Sequence, residues 1–149
     1  MSDSSVLPKP GWAQHRIGLL LMVGYVALLF STNAQVGIPR DEGFYFFAAD
    51  RAADWVEGLA DGNRRSFGRA EIDRGFKYNR EHPVLMKMLF GVSHRLFTER
   101  LGWIDSNVAS YRLPTMVMAG MAVWLTWLLG WTFGGTLVGL FSALALVCM

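Results

Sequence analysis

Charged and uncharged positions are sharply segregated along the chain. From Ile17 to Phe30 the sequence IGLLLMVGYVALLF carries no charge, and the uncharged stretch continues as far as Pro39. A helix needs about 20 apolar residues to cross the roughly 30 Å hydrocarbon core of a bilayer. The pattern therefore predicts a first transmembrane helix over 17–38, preceded by a polar tail over 1–16.

A second uncharged block lies in the C-terminal third of the chain. The sequence LPTMVMAGMAVWLTWLLGWTF has no charged residue and follows Tyr111 and Arg112, which have the character of interface anchors. This pattern predicts a second transmembrane helix over 111–133.

A further uncharged run over 136–149 follows a pair of glycines. Its roughly 14 residues fall short of a full span, so we expect it to be the start of a third transmembrane helix. On this interpretation the sequence is a fragment of a longer, polytopic protein.

Between the two blocks, residues 39–110 hold most of the charge. Within this loop, apolar residues that recur at spacings of three, four and seven predict two amphipathic helices, over 41–59 and 83–97. The polar, glycine-bearing segment over 61–79 is expected to be irregular. The predicted fold class is an all-α integral membrane protein, a helical-bundle fragment whose long first extracytoplasmic loop carries two juxtamembrane helices.

Composition agrees with a membrane protein. Hydrophobic residues make up 52% of the chain, and the mean hydropathy is +0.28. The net charge of +2 is too small to indicate binding to nucleic acid. The single cysteine, Cys148, has no partner for an internal disulfide.

The basic residues before the first apolar block favour a cytoplasmic N-terminus and an uncleaved anchor. The alternative is a cleaved signal peptide, because Lys9, His15 and Arg16 also form a basic region before an apolar core. Residues 40–112 contain 12 of the 14 basic residues, but the loop is longer than the roughly 60 residues within which positive charge sets orientation. We therefore expect a multi-pass protein of the cell inner (plasma) membrane, with the loop outside.

Adjacent carboxylates, Asp41 and Glu42, follow the first apolar block. Acidic residues at a helix start complement the helix dipole and cap free N–H groups, which is a purely structural explanation. A carboxylate that emerges at the membrane surface beside Arg40 can also serve as a general base. The residues alone leave both interpretations open.

A second polar motif, Lys77-Tyr78-Asn79-Arg80-Glu81-His82-Pro83, leads into the helix predicted over 83–97. Its basic residues can hold a lipid phosphate at a helix N-terminus, or they can form a solvated stretch whose lysine reaches the headgroups. The candidates for phosphate binding are Lys77, Arg80, His82 and Lys87. A histidine-based metal site is not expected, since no second histidine lies at ligand spacing from His82.

Three stretches in this order resemble the N-terminal part of the GT-C glycosyltransferases, which use sugars linked to a polyprenyl phosphate. IPRDEGFYFFAADRAADW is similar to the Asp-Glu motif of the first loop, and EHPVLMKMLFGVSHRLF is similar to the His-Pro-Pro or Lys-Pro-Pro motif. YRLPTMVMAGMAVWLTWLLG is similar to the Arg-Leu-Pro entry to the second span. The nearest families are the protein O-mannosyltransferases and the aminoarabinose transferases.

The resemblance implies an inverting glycosyltransferase in which Asp41 is the catalytic base and Glu42 supports it. The donor is a lipid-phosphate-linked sugar, and the acceptor is a hydroxyl of a protein, lipid or glycan. Arg80, His82, Lys87 and Lys77 are the expected ligands of the donor phosphate. The chain departs from the family motif at Val84, where a second proline is usual, and at His82, where some members carry lysine.

Two further points stay open in the sequence. Some members of these families use a divalent metal and others do not, and no cofactor is predicted with certainty. The alternative function, from another class, is a noncatalytic membrane protein whose loop helices bind a partner or anionic lipid. Under either hypothesis, the 149-residue chain alone is expected to be inactive as an enzyme.

Overall fold

The protein is described from a computed structural model that covers residues 7–81 and 83–148. These residues form helices and turns but no strand, which confirms the predicted all-helical class. The α-helices are α1 Trp12–Thr32, α2 Glu42–Ala60, α3 Arg69–Phe76, α4 Val84–His94 and α5 Asn107–Val147. Shorter 3-10 turns cover Asn33–Gln35 and Arg64–Phe67, and a π-helical turn covers Arg95–Arg100.

The helices divide into two compact units. The apolar unit comprises residues 1–32 and 115–149, and the loop unit comprises residues 33–114. Two helical stretches, Trp12–Gln35 and Asn107–Val147, are long and apolar enough to cross a membrane. Only 11% and 17% of their most apolar windows are buried within the protein. A core helix of a soluble protein would bury most of such a surface.

Small residues bring α1 and α5 together in the apolar unit. A Cβ atom on Gly18 would lie 2.1 Å from the Trp124 side chain, and one on Gly120 would lie 2.6 Å from that of Val26. The early part of α1 therefore contacts the later part of α5, so the two helices run antiparallel. Close approach through glycine is typical of helix packing in membranes.

Helix α5 reverses direction at Gly135. This residue has a φ of 75°, a conformation that glycine adopts readily and other residues rarely adopt. After the reversal, Gly139 packs against the fully buried side chain of Trp127. The core of the apolar unit forms inside this hairpin, around Val123, Trp127 and Ala143.

In the loop unit, α2 packs closely against α4. The buried face of α2 is made only of alanines, and a Cβ atom on Gly91 of α4 would lie 2.1 Å from the carbonyl oxygen of Ala49. The two backbones approach this closely because neither helix places a large side chain at the crossing. The buried alanines are Ala48, Ala49, Ala52 and Ala53.

The segment over 61–79 contains the 3-10 turn and α3, so the prediction that it is irregular is wrong. Packing against α2 supplies the stability that its polar sequence lacks. Gly75 lies against the side chain of Trp55, and the Trp55 indole donates a hydrogen bond to the Ser66 carbonyl at 2.8 Å. These contacts join residues up to 20 positions apart. Local sequence patterns cannot predict contacts over that separation.

The start of α5 is joined to α4 by a hydrogen bond that compensates for a proline. Pro114 has no N–H group, so it cannot donate to the carbonyl of Ser110 one helical turn earlier. The Ser93 hydroxyl donates to this carbonyl instead, at 2.6 Å. Both serines are buried, and this bond therefore satisfies a carbonyl that water cannot reach.

Ser110 and His94 form a buried pair next to this bond. Their Oγ and Nδ1 atoms lie 2.9 Å apart, and the Ser110 hydroxyl donates to the carbonyl of Asn107. His94 also stacks on Tyr111, with ring centroids 4.2 Å apart. Ser110 is fully buried and its proton is already donated to the backbone, so this pair holds α4 against α5 and is not placed to act as a nucleophile and its base.

Candidate functional site

The two polar motifs of the sequence line one open cavity in the loop unit. Its volume is about 340 Å³. The start of α2 contributes one wall, and the turn before α4 contributes the other. The lining residues are Asp41, Phe44, Tyr45, Tyr78, Asn79 and Glu81.

Asp41 lies at the start of α2 with an exposed side chain. Its backbone carbonyl accepts hydrogen bonds from the N–H groups of Phe44 and Tyr45. Its side chain makes no capping hydrogen bond to the helix. Capping therefore does not account for this carboxylate, although it still benefits from the positive end of the helix dipole.

Glu42 has a different environment from its neighbour. Its carboxylate accepts two hydrogen bonds from Arg112, with Nε–Oε1 at 2.6 Å and Nη2–Oε2 at 2.5 Å. Both side chains are more than four-fifths buried. A two-pronged, partly buried pair of this kind fixes both position and orientation.

Arg112 also holds the chain between α1 and α2. Its guanidinium donates to the side chain of Asn33 at 2.9 Å and to the carbonyl of Gly37 at 2.9 Å. The hydrogen bonds to Glu42 raise the pKa of Arg112, so its guanidinium stays charged. Glu42 and Arg112 thus position the start of α2, including the adjacent Asp41.

The opposite wall of the cavity is the turn that contains Tyr78 and Asn79. Lys87 stabilises this turn through hydrogen bonds to its backbone. The Lys87 side chain is only 2% exposed, and its ammonium donates to the carbonyls of Tyr78, at 3.3 Å, and of Asn79. Burial lowers the pKa of Lys87, and the nearby carboxylate of Glu81 partly opposes this shift. Asn79 has a φ of 57°, a left-handed conformation that asparagine tolerates better than most residues.

The expected phosphate ligands do not come together as one cluster among the described residues. Lys77 and Arg80 are exposed, and neither lines the cavity that contains Asp41. Lys77 lines a separate cavity with Arg51 and Arg74. Lys87 is committed to two backbone carbonyls, and His82 lies outside the described residues.

Phe44, Tyr45 and Tyr78 supply the aromatic surface of the cavity. The ring of Tyr78 packs edge-on against Phe47, with centroids 4.8 Å apart, and the Arg51 guanidinium lies over the Phe47 ring, 4.7 Å from its centroid. Tyr78 and Glu81 lie in the second motif but were not among the predicted site residues. The signal that could have identified them is their position just before Pro83, where the second helix was predicted to begin.

The described residues contain no group of three or more histidine, cysteine, aspartate or glutamate side chains that could hold a metal ion. Asp41 and Glu81 line the same cavity, but two carboxylates on an open surface do not amount to a divalent-metal site.

Comparisons of this chain with protein-family models, with curated proteins and with solved structures found no match.

The chemistry available to the cavity follows from its lining. Two carboxylates can accept hydrogen bonds from hydroxyl groups, and the amide of Asn79 can both donate and accept them. The rings of Phe44 and Tyr78 offer flat apolar faces beside these groups. The open cleft therefore combines flat rings with hydrogen-bonding oxygens.

Proposed function

We propose that the chain is the N-terminal module of an inverting membrane glycosyltransferase. It would transfer a sugar from a polyprenyl-phosphate donor to a hydroxyl acceptor, with Asp41 as the general base. The observation that supports this proposal most strongly is the shared cavity. Asp41 comes from one motif and Tyr78, Asn79 and Glu81 from the other, and the two motifs are separated by more than 30 residues of sequence.

The proposed reaction is a single displacement. Asp41 accepts the proton of the acceptor hydroxyl as its oxygen forms a bond to the anomeric carbon of the sugar. The bond from that carbon to the phosphate oxygen breaks at the same time, and the polyprenyl phosphate leaves with the electron pair. Attack from the face opposite the leaving group inverts the anomeric configuration.

The neighbouring residues act on this step indirectly. Glu42 supports the base through its bonds to Arg112, which fix the first turn of α2. Lys87 would act by holding the turn that carries Tyr78 and Asn79, since its ammonium already donates to their carbonyls. In this proposal, Arg80, Lys77 and His82 remain the direct ligands of the leaving phosphate.

The proposal also includes a location. The two apolar helical stretches would make the protein a multi-pass component of the cell inner membrane, with its N-terminus in the cytoplasm. The loop unit would then face outward, where lipid-linked sugars meet their acceptors. The acceptor would be a hydroxyl of a protein, lipid or glycan.

The experiment measures sugar transfer from a radiolabelled polyprenyl-phosphate sugar by membranes that contain the complete enzyme of which this chain is part. Asp41→Asn should lower the rate by about 10²- to 10⁴-fold, the usual contribution of a general base. The matched control is Asp61→Asn, since Asp61 is an exposed carboxylate at the other end of α2. Transfer at the wild-type rate by Asp41→Asn would reject the catalytic assignment.

A further inference from the structure

A strongly basic surface lies on the loop unit, outside the cavity that contains Asp41. Residues 64–77 include five basic and two acidic residues, so this short segment carries a larger net positive charge than the whole chain, which is +2. All five basic side chains are exposed. The basic surface consists of Arg64, Arg65, Arg69, Arg74 and Lys77.

The charges at one end of this surface have no partner. Arg74 pairs with Glu71 at 2.9 Å, and Arg69 lies 3.8 Å from Asp73. Arg64 and Arg65, by contrast, form no ion pair with any described residue; only their backbone takes part in the 3-10 turn. Fixed positive charge without an internal partner is free to attract an external anion.

An exposed aromatic residue follows these two arginines in the chain. Phe67 is 73% exposed and follows Arg64 and Arg65 at the end of the 3-10 turn. The turn holds Phe67 outward because the neighbouring Ser66 is buried against Gly58. A large apolar side chain among basic residues is the composition of segments that lie in the interface of a bilayer, with arginine at the phosphates and the ring among the acyl chains.

Part of the basic surface is concave. Arg74 and Lys77 line a cavity of about 450 Å³ together with Arg51 of α2. Asp73 is the one acidic residue in its lining. The cavity is wide enough for a headgroup phosphate and carries a net positive charge.

We propose that the basic surface and Phe67 dock onto the surface of a membrane that contains anionic phospholipid. The chain itself favours this partner over a soluble acidic protein. The loop unit is joined at both ends to helical stretches that are apolar enough to cross a membrane, so a bilayer is present at high effective concentration. Docking does not use Asp41, and it holds for an enzyme and for a noncatalytic protein alike. Lys77 is the one residue of the basic surface that the proposed function also uses.

The test uses the full chain reconstituted into lipid nanodiscs. Cys148 is replaced by serine, Phe67 by cysteine, and the new thiol carries an environment-sensitive fluorophore. Emission and iodide quenching are compared in phosphatidylglycerol and phosphatidylcholine bilayers. The matched control places the same probe at Trp103, which is 72% exposed but lies outside the basic surface, with Glu99, Arg100 and Asp105 as its charged neighbours along the chain.

Docking predicts that the probe at Phe67 is shielded from iodide in phosphatidylglycerol and exposed in phosphatidylcholine. The probe at Trp103 should not respond to lipid charge. The double variant Arg64→Gln with Arg65→Gln should lower the docked-to-free ratio by about 30-fold, since each basic residue near an anionic surface contributes about 1 kcal/mol. Salt at about 0.5 M should weaken docking in the same direction.

Three results would overturn the proposal. Equal quenching at Phe67 in the two lipids would exclude recognition of anionic lipid, and unchanged shielding in the double variant would exclude a role for the basic surface. Shielding that appears only after a soluble protein is added would assign the surface to a protein partner instead. Asp41→Asn should dock like the wild type, so this test and the transfer assay fail independently.

Discussion

At the scale of single residues, two neighbouring carboxylates have different environments. Glu42 is bound by Arg112, whereas the side chain of Asp41 makes no capping bond and lines the cavity. The sequence identifies both as candidates because both follow the first apolar block. It cannot distinguish them, since the arginine that binds Glu42 is 70 residues away and only the fold brings it near.

The hydrogen bond that compensates for Pro114 leads to a prediction about stability. Ser93→Ala leaves the buried carbonyl of Ser110 without a donor, so it should lower the free energy of unfolding of the loop unit by about 1–3 kcal/mol. Hydrogen exchange of α4 amides in detergent micelles measures this change.

A double-mutant cycle tests the cause of that loss. In a Pro114→Ala background, residue 114 regains an N–H group that can donate to the Ser110 carbonyl. Ser93→Ala should then cost less than half as much as it does in the wild type. Equal costs in the two backgrounds would show that Ser93 does not act by replacing the missing helical bond.

Lys87 predicts a dependence of stability on pH. Burial lowers its pKa from the ordinary value of 10.5 in the folded chain, while the unfolded chain keeps that value. Between the two values the unfolded state binds more protons, so the free energy of unfolding should rise with pH in the interval just below 10.5. The measurement compares unfolding across pH 8 to 11 in the wild type and in Lys87→Met. The rise attributed to Lys87 should be absent from the variant, and its persistence there would assign it to another group.

At the scale of helices, the sequence predicted α2 and missed α3. The apolar spacing that predicts a helix over 41–59 is local, and α2 is found as Glu42–Ala60. The helix predicted over 83–97 is found as α4, Val84–His94, followed by a π-helical turn. α3 has only eight residues and is stabilised by Trp55 of α2. A helix this short depends on tertiary packing, so its own sequence does not predict it.

Two glycine-to-alanine substitutions, one at the crossing of α2 and α4 and one away from it, should have opposite effects on stability. Gly91→Ala places a methyl group against the Ala49 carbonyl, and we expect a loss of about 3 kcal/mol because backbone atoms cannot move aside. Gly43→Ala, within α2, meets no atom within 4 Å and should stabilise the loop unit by about 0.5–1 kcal/mol. Hydrogen exchange of α2 amides distinguishes the two. A neutral Gly91→Ala would mean that the helices do not pack at this point.

At the scale of the whole molecule, the chain alternates between apolar and charged stretches. The apolar unit exposes large side chains such as Leu20, Leu125 and Phe141, at 73%, 59% and 70%, whereas the loop unit carries nearly all of the ionisable groups. Uncharged runs are visible in any sequence, which is why the apolar stretches could be predicted. The pairing of Gly18 with Trp124 could not be, because no local pattern specifies which glycine meets which tryptophan.

The orientation of the loop unit leads to a separate prediction. With Cys148 replaced by serine, Asp61→Cys places a thiol at an exposed position after α2. A membrane-impermeant maleimide should label this thiol in cells whose outer layer has been made permeable while the inner membrane is left intact. Labelling only after the inner membrane is permeabilised would place the loop unit in the cytoplasm and contradict the proposed topology.

The central claim is that Asp41 acts in chemistry whereas Glu42 acts through structure. The most direct test measures both sugar transfer and loop-unit stability for Asp41→Asn and for Glu42→Gln in the complete enzyme. Asp41→Asn should lower transfer by at least about 10²-fold with little change in stability. Glu42→Gln should destabilise the first turn of α2 by about 1–3 kcal/mol. Wild-type transfer by Asp41→Asn, or loss of transfer that merely follows loss of stability in both variants, would contradict the account.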